Sequence, residues 1–109
     1  MSQITIDAIR ALRNGTNFKR GNTKVSHYNN EAHLLLHGNL IAYYAEQGGL
    51  FISNGGYTPQ GSRYHSDAPT GSKTTRDRLN GLPNVNIHQK NFQWFLNGEE
   101  WDGQFIKVE

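Results

Sequence analysis

The residues nearest to a recognisable chemistry are Pro69-Thr70-Gly71-Ser72-Lys73-Thr74-Thr75. A Gly-rich segment ending in Lys-Thr ahead of a helix is the usual cradle for a nucleotide phosphate. That cradle needs a Gly directly before the Lys, in the spacing G-x-x-x-x-G-K-[ST], and Ser72 stands there instead. No apolar run ending in Asp follows to hold magnesium, so nucleotide chemistry is not expected. A weaker anion site survives. A helix beginning at Thr74 would present free backbone amides, with Lys73, Arg76 and Arg63 beside them. Thr74 followed by Asp77 also has the form of a capping box, with Asp in place of Glu or Gln, so simple capping competes with anion binding.

The chain has five His. His33 and His37 fall in a β-rich run, where they share a face but lie roughly 13 Å apart, too far to clamp one ion. His27, His65 and His88 show no ligand spacing to one another or to a carboxylate. His65, Ser66 and Asp67 contain the residue types of a hydrolytic triad, but such triads are assembled from separate elements, and no glycine-framed elbow surrounds Ser62 or Ser66. Glu99, Glu100 and Asp102 follow an Asn-Gly turn and read as solvated. No catalytic residue, metal or cofactor is therefore expected, and the chain is not expected to be an enzyme.

Aromatic and basic residues are more informative. Tyr57 and Tyr64 have no periodic reason to be buried, and with Arg63 they make a surface of the kind enriched at interfaces. With Lys73 and Arg76 they form the expected partner-binding set. Tyr43 and Tyr44 must point to opposite faces of a strand, so at least one is exposed if the sheet is covered on one side. Net charge is only +2, yet Arg10, Arg13, Lys19, Arg20 and Lys24 oppose the single acid Asp7 across the first 24 residues. Those five cations are the alternative expectation, a nucleic-acid contact region.

The elements that must position these residues follow from periodicity. Ser2 to Asn14 reads as a helix with Ile6, Ile9 and Leu12 on one stripe, Ser2 or Thr5 as cap and Gly15 as terminator. TKVSHY, HLLLH, LIAYY and LFIS read as strands, with turns at Gly21-Asn22, Gly38-Asn39 and Gly48-Gly49. Asn54 to Thr75 is a long polar segment, and such segments are uncommon inside compact domains unless they are functional or disordered. A short helix at 74–80 follows, stopped by Gly81 and Pro83, and then VNIHQ, FQWFL and QFIKV. The expected fold is α+β: one domain over 1–109, a mostly antiparallel sheet of about five strands, two short helices on one face, and a polar loop at about 54–75.

Hydrophobic content of 35% is low, and twelve Gly with twelve Asn account for much of the difference, which implies many tight turns. The absence of Cys removes disulfides, thiolate zinc sites and cysteine nucleophiles together. No apolar run approaches the roughly 18 residues of a membrane helix, and the N-terminus lacks the apolar core of a signal peptide.

The string LHGNLIAYYAEQGGLFISNGGY, followed by TTRDRLNGLPNVNI and WFLNGEEWDG, resembles a group of short accessory proteins of tailed bacteriophages. The resemblance covers most of residues 18–103. It implies a phage accessory protein in the host cytoplasm and supplies no catalytic residues or cofactor. The group usually has a shorter link ahead of the TTR-type helix, so nothing carries over to Tyr57–Ser72. Two functions are expected on these grounds: binding of a host protein, such as one of a defence system, in the manner of an inhibitor, or nucleic-acid binding by the basic N-terminal region. A homodimer through an exposed strand edge is a further expectation.

Overall fold

Helix α1 (Gln3–Asn14) begins where the sequence places it. Ser2 is the N-cap, with φ −74° and ψ 156°, and its hydroxyl accepts from the Thr5 amide at 3.3 Å. Gly15 closes the helix in the left-handed region at φ 78°, donating its amide to the Ala11 carbonyl. The buried stripe is Thr5, Ala8, Ile9, Ala11 and Leu12, whereas Ile6 is exposed. Thr5 displaces Ile6 from the expected stripe because its hydroxyl joins a polar cluster under the helix.

A computed structural model describes residues 1–55, 67–91 and 93–109, with backbone alone for 67–72. The chain is α+β, as expected. Its main sheet is built from β1 (Phe18–Arg20), β2 (Thr23–Tyr28), β3 (Glu31–Leu36), β4 (Asn39–Tyr44), β5 (Leu50–Ile52) and β9 (Ile106–Lys107). The strands lie in the order β1-β2-β3-β4-β5-β9, and every pairing is antiparallel. Strands β6 (Ile87–Lys90), β7 (Gln93–Leu96) and β8 (Glu99–Glu100) form a second sheet of three. The mostly antiparallel sheet expected from the sequence is present, and the short strands β1 and β8, two or three residues long, add to the runs that periodicity marks.

Three two-residue turns set the registers. Asn29-Asn30, His37-Gly38 and Asn97-Gly98 all have positive φ at both positions, which gives the twist that tight hairpins need. The β3–β4 turn is thus His37-Gly38, one residue earlier than expected, and Asn39 pairs with Leu36 inside the ladder. His adopts the left-handed region more readily than most side chains.

Helix α2 (Asp67–Leu79) starts well before the expected Thr74. Pro69 is compatible with this because it lies in the first turn, where amides have no intrahelical acceptor. Thr74 and Thr75 are consequently interior, and the free amides on which an anion site at 74–80 depended are absent from that place. Asp77 is no cap of its own helix. Its carboxylate accepts from the hydroxyls of Ser2, at 2.8 Å, and Thr5.

Beside it, Arg78 is 5% exposed and ties three elements together. Its guanidinium donates to Thr5 at 2.8 Å and Ser2 at 3.1 Å on α1, to Thr23 at 2.9 Å on β2, and to Asp77 at 2.8 Å. Close approach of the helices depends on Gly81: a Cβ there would lie 2.7 Å from Thr5 Cγ2 and 3.0 Å from Ile9 Cγ1.

Val25, Leu34, Leu36, Ile41, Leu50 and Ile52 line the covered side of the main sheet. They share one apolar cluster with Leu12 of α1, Leu79 of α2, and Trp94 and Leu96 of the small sheet. Trp94 is fully buried and its indole donates to Gln89 Oε1 at 3.1 Å; Trp101 donates to the Gln104 carbonyl at 2.9 Å. The main sheet ends in β1, short and carrying Lys19 and Arg20, and in the two-residue β9. Short, charged edges of this kind discourage pairing with another sheet.

Candidate functional site

Strand residues alternate between faces, so the register that buries Val25, Leu34 and Ile52 places their neighbours on the opposite side. The pairings Ser26↔His33, His33↔Tyr43, Tyr43↔Phe51 and Phe51↔Lys107 run in one line across five strands. At about 4.8 Å per strand this row spans roughly 19 Å. Tyr43 and Phe51 stack with ring centroids 5.0 Å apart and planes 9° from parallel. His33 meets Tyr43 edge-on at 6.2 Å, and Phe105 meets it at 5.6 Å and 64°. Phe105 itself is 51% exposed. These rings form a continuous aromatic strip that no described helix covers.

Lysines flank the strip. Lys19 and Lys24 are direct cross-strand partners, both exposed, and Lys107 stands at the other end of the row. Like charges directly opposite each other destabilise a sheet. Among the described residues none of the three lysines has a carboxylate within ion-pair distance. Glu31, on the described strands of this face, has its Oε1 3.0 Å from His33 Nε2. The lysines of this face are therefore without an ion-pair partner among the described residues.

The other basic residues are disposed differently. Asp7 lies between Arg20, at 2.8 Å, and Arg10, at 3.6 Å. The Arg20 hydrogen bond, with help from Gln3, holds the Asp7 carboxyl below its usual range. Arg20 also lies over the Phe18 ring, 5.1 Å from its centroid. The five N-terminal cations thus separate: Arg10 and Arg20 around Asp7, Lys19 and Lys24 on the open sheet face, and Arg13 at the end of α1.

Arg13 borders an open groove of about 850 Å³ between α1 and the β2–β3 turn, with His27, Tyr28, Tyr44 and Glu109 also lining it. Burial pushes the Tyr44 phenol up, Glu109 adds to the effect, and Arg13 opposes it. Glu109 in the same lining offsets Arg13, so the groove does not favour an anion.

Of the expected partner-binding set, Tyr57, Arg63 and Tyr64 lie outside the described residues, as do His65 and Phe92. Lys73 is exposed on α2, and Arg76 is half-buried. The structure does not place these two on the aromatic strip's strands. Sequence reasoning expected at least one of Tyr43 and Tyr44 to face outward, but it did not place Phe51, Phe105, His33 or Lys107 in a site. No local signal marks them, because their proximity depends on strand pairing, and above all on β9 returning to β5.

Among the described residues no group of three or more His, Asp or Glu is placed to hold a metal ion. No described helix is long and apolar enough to cross a membrane. No curated protein and no solved structure matches the chain. A family profile described as Kyanoviridae Gp96 protein matches residues 1–108, which is nearly the entire chain and agrees with the resemblance to phage proteins. The chain belongs to the Kyanoviridae Gp96 protein family of phage proteins.

Proposed function

We propose that the protein is a phage accessory factor that works in the host cytoplasm by binding a host macromolecule, rather than by catalysis, through the open face of its main sheet. The observation that carries this reading is the aromatic row His33–Tyr43–Phe51 with Phe105, flanked by lysines that have no described acidic partner. A rigid strip of rings on a sheet offers contact area at little entropic cost, because aromatic side chains have few rotatable bonds. A host protein, of a defence system or other machinery, and a nucleic acid both belong to this reading as partner classes.

Affinity capture from host lysate, with and without nuclease, tests it. The wild-type chain is expected to retain a specific macromolecule, and Tyr43→Ala combined with Phe105→Ala is expected to cut retention at least about tenfold, as for two interface aromatics. Equal retention by the variant would remove the sheet face from the account. Loss of the retained species on nuclease treatment assigns it to nucleic acid, and persistence assigns it to protein.

A further inference from the structure

Resting on that reading of the sheet face, we infer that its ligand is a single-stranded nucleic acid, with bases stacked on the Tyr43–Phe51–Phe105 strip and phosphates held by Lys19, Lys24 and Lys107. Single strands are bound without strong sequence preference where a positively charged surface tracks the backbone and aromatic rings take the bases. Both parts are present on one face. The strip offers a stacked pair and an exposed third ring within one continuous set of contacts. The Lys19↔Lys24 pair puts two cations side by side at one end of the platform, and Lys107 puts a third at the other. An anion spanning the platform relieves the repulsion that this pairing otherwise costs.

Size and charge weigh against the nearest rivals. The major groove of a duplex is about 12 Å wide and admits a helix or a two-stranded ribbon. A row that spans five strands, roughly 19 Å, does not enter it. Protein interfaces are enriched in Tyr, Trp, Phe and Arg and depleted in Lys. The Tyr and Phe rings of the strip suit either partner, but the cations of the open face are lysines, while Arg78 is buried under α1, and this favours phosphate. A sheet surface of this breadth has room for two or three splayed bases.

The test uses the full chain and a fluorescently labelled oligothymidylate and oligouridylate of about a dozen nucleotides, against a duplex of equal length. Single strands are expected to bind at least about tenfold tighter than duplex. Their log affinity is expected to fall with log salt at a slope of about −2, near −0.7 for each of three phosphates. Lys19→Ala with Lys24→Ala should make that slope shallower by about 1.4. Tyr43→Leu, which keeps an apolar side chain on the strand, should weaken binding about tenfold with little change in slope, since a stacking contact is lost and no charge is. Circular dichroism of both variants should match the wild type.

Three results overturn the inference: no single-strand binding at about 50 mM salt, equal affinity for duplex, or indifference to both variants. If oligonucleotides do not bind but the same substitutions abolish capture of a protein, the inference fails and the sheet-face reading stands. If the substitutions alter neither, both fail.

Discussion

Asp77→Ala is expected to lower the unfolding free energy by about 3 kcal/mol, at the low end for breaking a buried ion pair because Asp77 is partly exposed. The cause is what remains. Arg78 is 5% exposed, and without the carboxylate its guanidinium is a buried charge with neutral partners alone, the Ser2, Thr5 and Thr23 hydroxyls and the Asn22 side-chain oxygen. Arg78→Met should cost less, about 1–2 kcal/mol, because the buried charge disappears and the Asp77 left behind is reached by water and by the Ser2 and Thr5 hydroxyls. Urea unfolding checks the order of the two, and a larger loss for Arg78→Met would contradict it. Acid supplies a second arm. Burial raises the Asp77 carboxyl, but hydrogen bonds from Thr5 and Ser2 and the charge of Arg78 outweigh it and hold the group below its usual range. The stabilisation is fully present above the unfolded carboxylate value of about 3.9 and is lost as pH falls through the lower folded value. Wild type should therefore lose more stability than Asp77→Asn between about pH 4 and pH 2.

Gly103→Ala should destabilise by a similar amount, about 3 kcal/mol, and should also disturb the sheet face. Gly103 has φ 87°, where a side chain costs about 1–2 kcal/mol. Its added Cβ would fall 2.5 Å from Cγ of Asn54, a buried side chain with little space to yield. The Gly103 carbonyl also accepts the Asn54 amide at 2.8 Å, which pins the end of β5 to the segment carrying Phe105. Thermal unfolding should show a fall in Tm of roughly 12 °C. Unchanged Tm would mean that the Asn54–Gly103 contact is not tight.

The two substitutions show which parts of the architecture the sequence announces and which it hides. Helix α1 was legible from a cap, a stripe and a terminal Gly, all within fifteen residues. Asn97-Gly98 was legible from Asn-Gly chemistry, Asn29-Asn30 was not named, and His37-Gly38 was off by one residue because a His can take the left-handed conformation that Asn39 was expected to supply. The start of α2 was not legible. Pro69 and Gly71 signal a loop by propensity, and the first-turn tolerance for proline is invisible until the helix start is known. Thr74 and Asp77 looked like a local cap; Asp77 instead serves Ser2 and Thr5, more than seventy positions away. The site was hidden for the same reason. Tyr43, Phe51 and Phe105 occupy three separate runs, and only the β4–β5–β9 order joins them. The basic N-terminal region read as one patch because charge was counted along the chain, whereas α1 and β2 present their cations on different sides.

The most direct measurement is an amide chemical-shift map of the labelled protein titrated with the single-stranded oligonucleotide. The expected result is a set of perturbed amides that crosses strands along one line, at Ser26, His33, Tyr43, Phe51 and Lys107, with Phe105 and Lys24 beside it. Perturbations confined to α1 around Arg10 and Arg13, or to the groove beside Tyr44 and Glu109, would contradict the assignment of the open sheet face. So would an unchanged spectrum.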